Sequence, residues 1–385
     1  MEKTVERKTN AIAIFWDEFT RSNILVIFLA ILSGIILGGV LVALTTAEVY
    51  DAFAVSFWKG IGAALKTAWD TYVSLFTGAV GNPAKISAAF SGGDPAEIRR
   101  AINPFFESLV QTTPYIFGGL AVALGFRAGM FNIGVEGQLF MGAVTGAWAG
   151  YAITGLPAVI HIPLAMLFGA MGGALWGFVP GFLKAKTGAH EVIVTIMMNY
   201  TAFRLVDWLL KFPMKDPNEY TPKTPWIQPS AELPRFFEAP VRFHLGFFIA
   251  LAFAWLIWWI LFKTTWGLNL RTVGTNPRAA KYAGLSVTKS IIVGMAISGG
   301  LAGLAGANQI LAVNRSMALG LSSGYGFDSI ALALIGGNHP VGVVLASILF
   351  GTLRNGATRM MVVSRIPIDI VDVVQAIILM FVAAP

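Results

Sequence analysis

Three polar side chains that could bind a ligand lie at the start of a long apolar segment. Residues 126–143 read FRAGMFNIGVEGQLFMGA and contain Asn132, Glu136 and Gln138. Polar and ionisable groups cost free energy in hydrocarbon, so in membrane proteins they usually face a bundle interior or a transport pathway. The alternative is a seam between packed helices, where neighbouring groups satisfy them. The residues by themselves leave both interpretations open.

The composition is typical of a polytopic helical membrane protein. Of the 385 residues, 56% are hydrophobic and 12% are charged, and the mean hydropathy is +0.70. Because a span needs roughly 20 residues, we expect an all-α integral membrane bundle of about ten transmembrane helices. The net charge is +7, but the basic residues recur between apolar segments. This pattern indicates membrane topology and contact with lipid, and no nucleic-acid partner.

Common catalytic and metal-binding patterns do not occur in the sequence. There is no cysteine, no GxxxxGK[ST] phosphate loop and no HExxH pair, and the four histidines are scattered. We therefore expect no catalytic residue, no metal and no cofactor in this chain. If ATP drives its function, the ATP is hydrolysed by a separate subunit.

The order of polar and apolar segments predicts a topology. Basic residues in segment 1–23 place the N-terminus in the cytoplasm, ahead of a transmembrane domain at 24–384. Segment 45–104 is polar and outer; within it, an apolar residue every three or four positions predicts an amphipathic surface helix or a helix packed on the bundle. Segment 211–245 contains seven prolines and is predicted to be a rigid outer loop.

Seven spans are predicted at about 24–44, 108–126, up to about 153, 157–180, 190–210, 246–262 and 290–312. In the fifth span, Arg204 and Asp207 are three residues apart and are expected to form an ion pair. Segment 324–384 divides into two short apolar segments of about 12 and 14 residues and a final span from about Ile368. Short or interrupted segments often lie near a transport pathway.

A basic segment, 263–289, has five basic residues and no acidic residue, which favours a cytoplasmic position. Within it, Asn276 can cap a helix, Pro277 suits the first helical position, and Gly284 suits the end. Because so short a helix is marginal in water, we expect a docking partner. A basic loop that faces lipid headgroups is the alternative.

A weak internal repeat indicates two related halves. The sequence Gly-Gly-Leu-Ala occurs at 118–121 and at 299–302. Phe131-Asn132 follows the first copy and Phe327-Asp328 follows the second, which would put Asn132 and Asp328 in corresponding places.

Three separated segments resemble a known family of transporters: FRAGMFNIGVEGQLFMGA, GTNPRAAKYAGLSV and GYGFDSIALALIGGNHPVGV. They are similar to the permeases of bacterial ABC importers for simple sugars, branched-chain amino acids and nucleosides. The resemblance extends over about residues 65–384. The FNIGVEGQ form, the long outer loop and the run EVIVTIMMNY at 191–200 are most similar to the nucleoside (purine) uptake permeases.

The resemblance implies a transmembrane permease subunit of an ATP-driven importer in the bacterial cell membrane. Its expected partners are a second homologous permease, a cytoplasmic ATPase that holds ATP and Mg²⁺, and an extracellular substrate-binding lipoprotein. The short basic helix matches the loop that couples such permeases to the ATPase. The implied coupling residues are Asn276, Pro277, Arg278, Ala279, Ala280, Lys281 and Gly284.

A nucleoside is neutral, polar and planar, so its pathway should offer amide or carboxyl groups and aromatic faces. The candidate pathway residues are Phe131, Asn132, Glu136, Gln138, Asn199, Phe327 and Asp328. Two alternatives remain open: a sugar permease of the same family, and a proton-coupled secondary transporter that uses Glu136 and Asp328.

Overall fold

The computed structural model describes residues 23–322 and 324–364, together with residues 372–373 and 376–377. The predicted cytoplasmic segment 1–23 lies almost entirely outside the described residues. The final span predicted from Ile368 lies outside them too, apart from four residues. The described chain forms two compact units: residues up to Leu75 with those from Ala357 onward, and Phe76–Gly356.

The first unit is formed mainly by three N-terminal helices, namely α1 (Asn23–Thr45), α2 (Ala47–Val55) and most of α3 (Phe57–Ala79). The segment Leu32–Thr45 and α2 meet at a bend of 74°. Val42 packs with Leu75, Ala357 and Met360 in a small apolar cluster. Helix α3 confirms the predicted helix in the polar segment, whereas its place at the outer surface stays a prediction.

The second unit contains the remaining helices and the end of α3. In chain order these helices are α4 (Pro83–Gly92), α5 (Pro95–Arg127), α6 (Val135–Ala152), α7 (Ala158–Thr187), α8 (Glu191–Lys211), α9 (Gly246–Lys263), α10 (Thr265–Thr275), α11 (Pro277–Tyr282), α12 (Val287–Asn308), α13 (Tyr325–Ile335) and α14 (Pro340–Ser364). The last of these helices, α14, extends into the first unit. A π-helical turn, Gln309–Asn314, continues α12.

Six helices of the described chain are long and apolar enough to cross a membrane, or seven if α1 and α2 form one bent span. These six are α5, α7, α8, α9, α12 with its π-helical turn, and α14. The described residues form no β-strand, only two isolated bridges. The helices confirm the predicted all-α, polytopic membrane bundle.

Close glycine contacts form the centre of the bundle, where α12 packs against α6 and α7. A Cβ atom at Gly142 would overlap Gly303, and a Cβ atom at Gly173 would overlap the carbonyl oxygen of Gly299. Small residues let helix backbones approach closely, and dispersion contacts then hold the helices together. The glycine-rich seventh span therefore serves helix–helix contact.

Two details of the sequence interpretation are wrong. Helix α14 has 25 residues and begins at Pro340, so the second short apolar segment is a long helix; proline suits the first position because it lacks only an N–H that would be unpaired there. Asp207 accepts a hydrogen bond from Lys211 Nζ at 2.8 Å instead of pairing with Arg204. That pair has the i, i+4 spacing, which also places two side chains on one helix face.

Candidate functional site

The opening polar segment lies where the chain breaks between α5 and α6. Helix α5 ends at Arg127, and Gly129 has a φ of 74°, which a side chain would disfavour. Helix α6 begins at Val135. The side chain of Asn132 bridges the break, because its Oδ1 accepts a hydrogen bond from the N–H of Gly134 at 3.0 Å.

Asn132 also joins three helices through its amide nitrogen. Its Nδ2 donates to Gln138 Oε1 and to Ser298 Oγ, each at 2.9 Å. Gln138 Nε2 donates back to Asn132 Oδ1 at 3.1 Å. The hydroxyl of Ser298, on α12, donates in turn to the carbonyl oxygen of Ala121, on α5, at 2.6 Å. The two amides thus satisfy each other and connect α5, α6 and α12.

Asn199 adds α8 to this arrangement. Its Oδ1 accepts from the N–H of Gly137 at 2.9 Å, and its Nδ2 donates to the carbonyl oxygen of Ile133 at 2.9 Å. We call Asn132, Gln138, Asn199 and Ser298 the amide cluster; each is at most 2% exposed. This geometry is that of a seam between packed helices, one of the two interpretations that the sequence left open. A pathway role for its three amide residues stays a prediction.

Glu136, in the first turn of α6, makes different contacts. Its Oε2 accepts from the N–H of Gly326, in the first turn of α13, at 2.6 Å. The first N–H groups of a helix lack partners within the helix, and the positive end of its dipole favours an anion. Glu136 is 3% exposed. It therefore fixes the start of α13 against α6.

A second polar group surrounds Asp328, in the first turn of α13. Tyr115 donates to Asp328 Oδ2 at 2.7 Å, and Arg354 Nη1 lies 3.4 Å from the same oxygen. Tyr325 donates to Gln111 Oε1 at 2.5 Å. The rings of Tyr115 and Tyr325 meet edge to face at 5.0 Å. We call Gln111, Tyr115, Tyr325, Asp328 and Arg354 the tyrosine–aspartate network.

The network is open on one side. The side chain of Asp328 is 30% exposed and that of Arg354 is 18% exposed. Phe327, next to Asp328, is 47% exposed. Phe131, the other candidate stacking face, packs edge to face on Phe126 at 4.9 Å instead. Among the sequence candidates, Phe327 is exposed and Phe131 and Asp328 are partly exposed, whereas the others, Asn132, Glu136, Gln138 and Asn199, are buried.

Four network residues are absent from the sequence candidates: Gln111, Tyr115, Tyr325 and Arg354. Tyrosine and glutamine within an apolar segment are a signal of the same kind as Asn132. The pairing itself could not be read from the sequence, since Tyr115 and Asp328 are 213 residues apart. The expected correspondence of Asn132 with Asp328 is not seen, because Asn132 precedes α6 whereas Asp328 lies inside α13.

The predicted docking helix is present as α11. Asn276 Oδ1 accepts from the N–H groups of Arg278 and Ala279, each at 3.1 Å. Pro277 is the first helical residue, and Gly284 has a φ of 78°, as the capping pattern predicts.

One residue of the expected coupling set, Ala280, is not exposed on α11. Arg278, Ala279, Lys281 and the unpredicted Tyr282 are exposed. Ala280 is 0% exposed, so it packs against its own chain and does not face a partner. The coupling role of the other residues stays a prediction.

Comparison with known proteins assigns the chain to a family. The family described as the permease component of the branched-chain amino acid transport system matches residues 105–383. The guanosine ABC transporter permease NupP of Bacillus subtilis is 49% identical over 283 residues, 72% of this chain and 80% of that protein.

Two further relatives are named as permeases for different transported molecules. The nucleoside ABC transporter permease NupB of Lactococcus lactis is 34% identical over 72% of this chain and 78% of its own length. The glucose ABC transporter permease TsgB13 of Haloferax volcanii is 33% identical over 71% and 74%. No solved structure matches the chain. The match over most of the chain, together with these relatives, shows that the protein belongs to the branched-chain amino acid transport system permease family, a family of membrane-spanning ABC transporter subunits.

Proposed function

We propose that this chain is a transmembrane permease subunit of a bacterial ABC importer and that its cargo is a nucleoside, with guanosine the first to test. The observation that carries the proposal is the partly exposed tyrosine–aspartate network around Asp328. Asp328 lies on α13, a helix of only 11 residues in a bundle of long spans. Short helices next to a pathway are a recurrent feature of transporters. The 49% identity to a guanosine permease supports the cargo.

The chemistry of the network fits a neutral cargo. Asp328 is paired with Arg354, so the two opposite charges leave no net charge where a molecule passes. The carboxylate of Asp328 is an acceptor-only group, and its side chain is 30% exposed. Guanine presents neighbouring N–H donors, and ribose presents hydroxyl donors, both of which are chemically suited to a carboxylate acceptor. Phe327 offers an exposed ring on which a planar base can stack.

The partners follow from the proposed class. An ABC ATPase would dock beneath α11, hold ATP and Mg²⁺, and drive the bundle between outward-facing and inward-facing states. A second homologous permease and an extracellular substrate-binding lipoprotein would complete the importer. The N-terminus and the segment 263–289 would then lie in the cytoplasm, and segments 45–104 and 211–245 outside.

The test is uptake by the complete importer in proteoliposomes, with labelled guanosine on the side of the binding protein. Uptake should require ATP on the opposite side and should fall with excess unlabelled guanosine or adenosine. Competition by glucose or ribose, with none by nucleosides, would instead assign the chain to the sugar permeases. Uptake by the isolated chain under a pH gradient, without ATP, would identify a proton-coupled transporter.

A further inference from the structure

The turn between α13 and α14 is held by the last residue of α5. Arg127 Nε donates to the carbonyl oxygen of Asn338 at 3.0 Å, and its Nη2 donates to that of Gly337 at 3.2 Å. Gly337 and Asn338 have φ values of 59° and 52°, a left-handed conformation that glycine adopts freely and asparagine adopts more readily than most other residues. The planar guanidinium presents its donors in a fixed fork, so the two bonds set the position of the turn.

Aromatic contacts tie this turn to the end of α9. The ring of His339, in the turn, lies 5.1 Å from the ring of Phe262 at an interplanar angle of 36°. The guanidinium groups of Arg127 and Arg271 lie 5.8 Å and 5.0 Å from the centre of the Phe262 ring. Such cation–π contacts are strengthened where water is excluded. Phe262 therefore joins α5, α10 and the turn.

Helix α10 continues almost directly into the docking helix α11. Asn276 ends α10 and caps α11, so the two helices share one residue. The end of α10 also touches the break after α5: a Cβ atom at Gly129 would lie 2.8 Å from the Cα atom of Gly274. Backbones this close cannot slide past each other without displacing their neighbours. A displacement of α11 therefore reaches Arg127 through packed contacts.

Helix α13 is thus held at both ends by side chains of neighbouring elements. Glu136 fixes its first turn through the N–H of Gly326, and Arg127 fixes the turn that follows its last residue, Ile335. Asp328 and Phe327 lie between these two anchors.

We propose that Arg127, supported by Phe262, is a positioning residue that passes the movement of the docking helix to α13 and so sets the place of Asp328. This inference rests on the proposed function, because α11 must meet the ATPase. In this role Arg127 needs no contact with the cargo. Its bonds to two backbone carbonyl oxygens make it a mechanical link between α5 and the α13–α14 turn.

The test is hydrogen exchange of the assembled importer, without nucleotide and after ATP hydrolysis in the presence of vanadate, which traps ADP on the ATPase; it needs no cargo. In the unmodified importer, vanadate trapping should change amide exchange in both segment 263–289 and segment 325–335. In Arg127→Ala, segment 263–289 should still respond, while the response of 325–335 should shrink by at least about fivefold, the lower end of typical coupling between sites. Arg127→Lys should retain part of the response, since an ammonium can still donate to one carbonyl.

Two further variants keep the result interpretable. Arg204→Ala removes an exposed arginine on α8 and should leave both responses unchanged. Phe262→Leu keeps an apolar side chain without the aromatic ring, and it should weaken the response of 325–335 even if Arg127→Ala fails to assemble. An undiminished response of 325–335 in Arg127→Ala or Phe262→Leu overturns the link alone. An unresponsive segment 263–289 in the unmodified importer overturns the docking role of α11, and the link with it.

Discussion

The amide cluster and the tyrosine–aspartate network look alike in the sequence and differ in the structure. Both place polar side chains among apolar helices. Asn132 and Gln138 are 1% exposed and bond to each other, whereas the side chain of Asp328 is 30% exposed. The first arrangement has the features of a packing seam, and the second has those of a surface that a cargo can reach.

The chemistry of the groups explains the difference. An amide carries both donors and an acceptor, so two amides six residues apart can satisfy each other locally. An ionised carboxylate only accepts, so Asp328 takes its donors from Tyr115 on α5 and Arg354 on α14. The carboxylate is held by side chains of two other helices while its own side chain stays 30% exposed. Glu136 is also a carboxylate but is 3% exposed and takes its donor from the backbone N–H of Gly326, so the place of the donors, together with the chemistry of the group, separates a buried contact from an exposed one.

The largest expected effect comes from breaking the amide cluster. Asn132→Leu should lower the free energy of unfolding by about 3 kcal/mol, because removing one partner leaves buried groups of Gln138, Ser298 and Gly134 unpaired. Uptake should fall only in proportion to the folded protein. Thermal unfolding in detergent, compared with uptake per folded complex, measures both.

A neighbouring residue gives the control for this variant. Phe131→Leu removes aromatic surface beside the cluster without touching its hydrogen bonds, and it should be less destabilising. If Asn132→Leu is as stable as the unmodified protein but loses uptake per folded complex, the cluster belongs to the pathway after all.

In the tyrosine–aspartate network, we expect a substitution to lower uptake more than stability. Asp328→Asn keeps an acceptor for Tyr115 and the side-chain size but removes the negative charge opposite Arg354. A hydrogen bond to a charged group contributes about 1.5–3 kcal/mol, so nucleoside uptake should fall at least about tenfold with a smaller change in stability. Initial uptake rates in proteoliposomes measure the effect.

The matched control is Asp207→Asn, which removes the carboxylate of the Lys211 pair on α8. It should transport normally. Equal loss of uptake in both variants would show that the charge of Asp328 has no special place in transport.

Local rules predicted the fold well, and long-range pairing limited the prediction of the site. Apolar length placed α8 and α9 within two residues of their observed ends, and capping chemistry placed Asn276, Pro277 and Gly284 on α11. Glu136 was selected for its charge, but its role as the cap of α13 depends on Gly326, 190 residues away. Likewise, nothing local distinguishes Ala279, which is exposed, from Ala280, which is buried.

His244, in the loop before α9, is buried without all of its polar atoms being hydrogen-bonded by the described residues. Its Nδ1 accepts from the N–H of Gly246 at 3.1 Å, but its Nε2 has no hydrogen-bond partner among the described residues. Burial, aided by the positive charges of Arg235 and Arg242, lowers the pKa of His244 from 6.5 to about 4. Unlike the residues of the amide cluster, this group is buried with only one of its nitrogens bonded.

The pKa shift predicts a pH dependence of stability. The unfolded chain takes up this proton as the pH falls through 6.5, whereas the folded chain does not until about 4. The neutral, buried His244 therefore does not lower the stability above pH 6.5. The free energy of unfolding decreases as the pH falls from 6.5 toward 4, because only the unfolded chain gains the proton. Between pH 7.5 and 5.5 the free energy of unfolding should decrease by about 1 kcal/mol on this account. Unfolding of His244→Asn should lack this component, while His190→Asn, which changes an exposed histidine, should keep it.

The smallest effect tests whether exposure by itself makes a charged pair functional. Lys211 and Asp207 form an ion pair at 2.8 Å with side chains 46% and 30% exposed, and the exposure of Asp207 equals that of Asp328. Water screens such a pair, so Lys211→Ala should change the free energy of unfolding by about 0.5 kcal/mol or less and should leave uptake unchanged. Comparing thermal unfolding of Lys211→Ala with that of Arg204→Ala, which removes a positive charge from the same helix without breaking this pair, isolates the contribution of the pair.

The uptake of Lys211→Ala tests the difference between this pair and the network. A loss of uptake would contradict that difference, because an exposed ion pair remote in sequence from the network would then matter as much as Asp328. Unchanged uptake would show that Asp328 is distinguished by its place on α13, between Glu136 and Arg127, and not by its exposure.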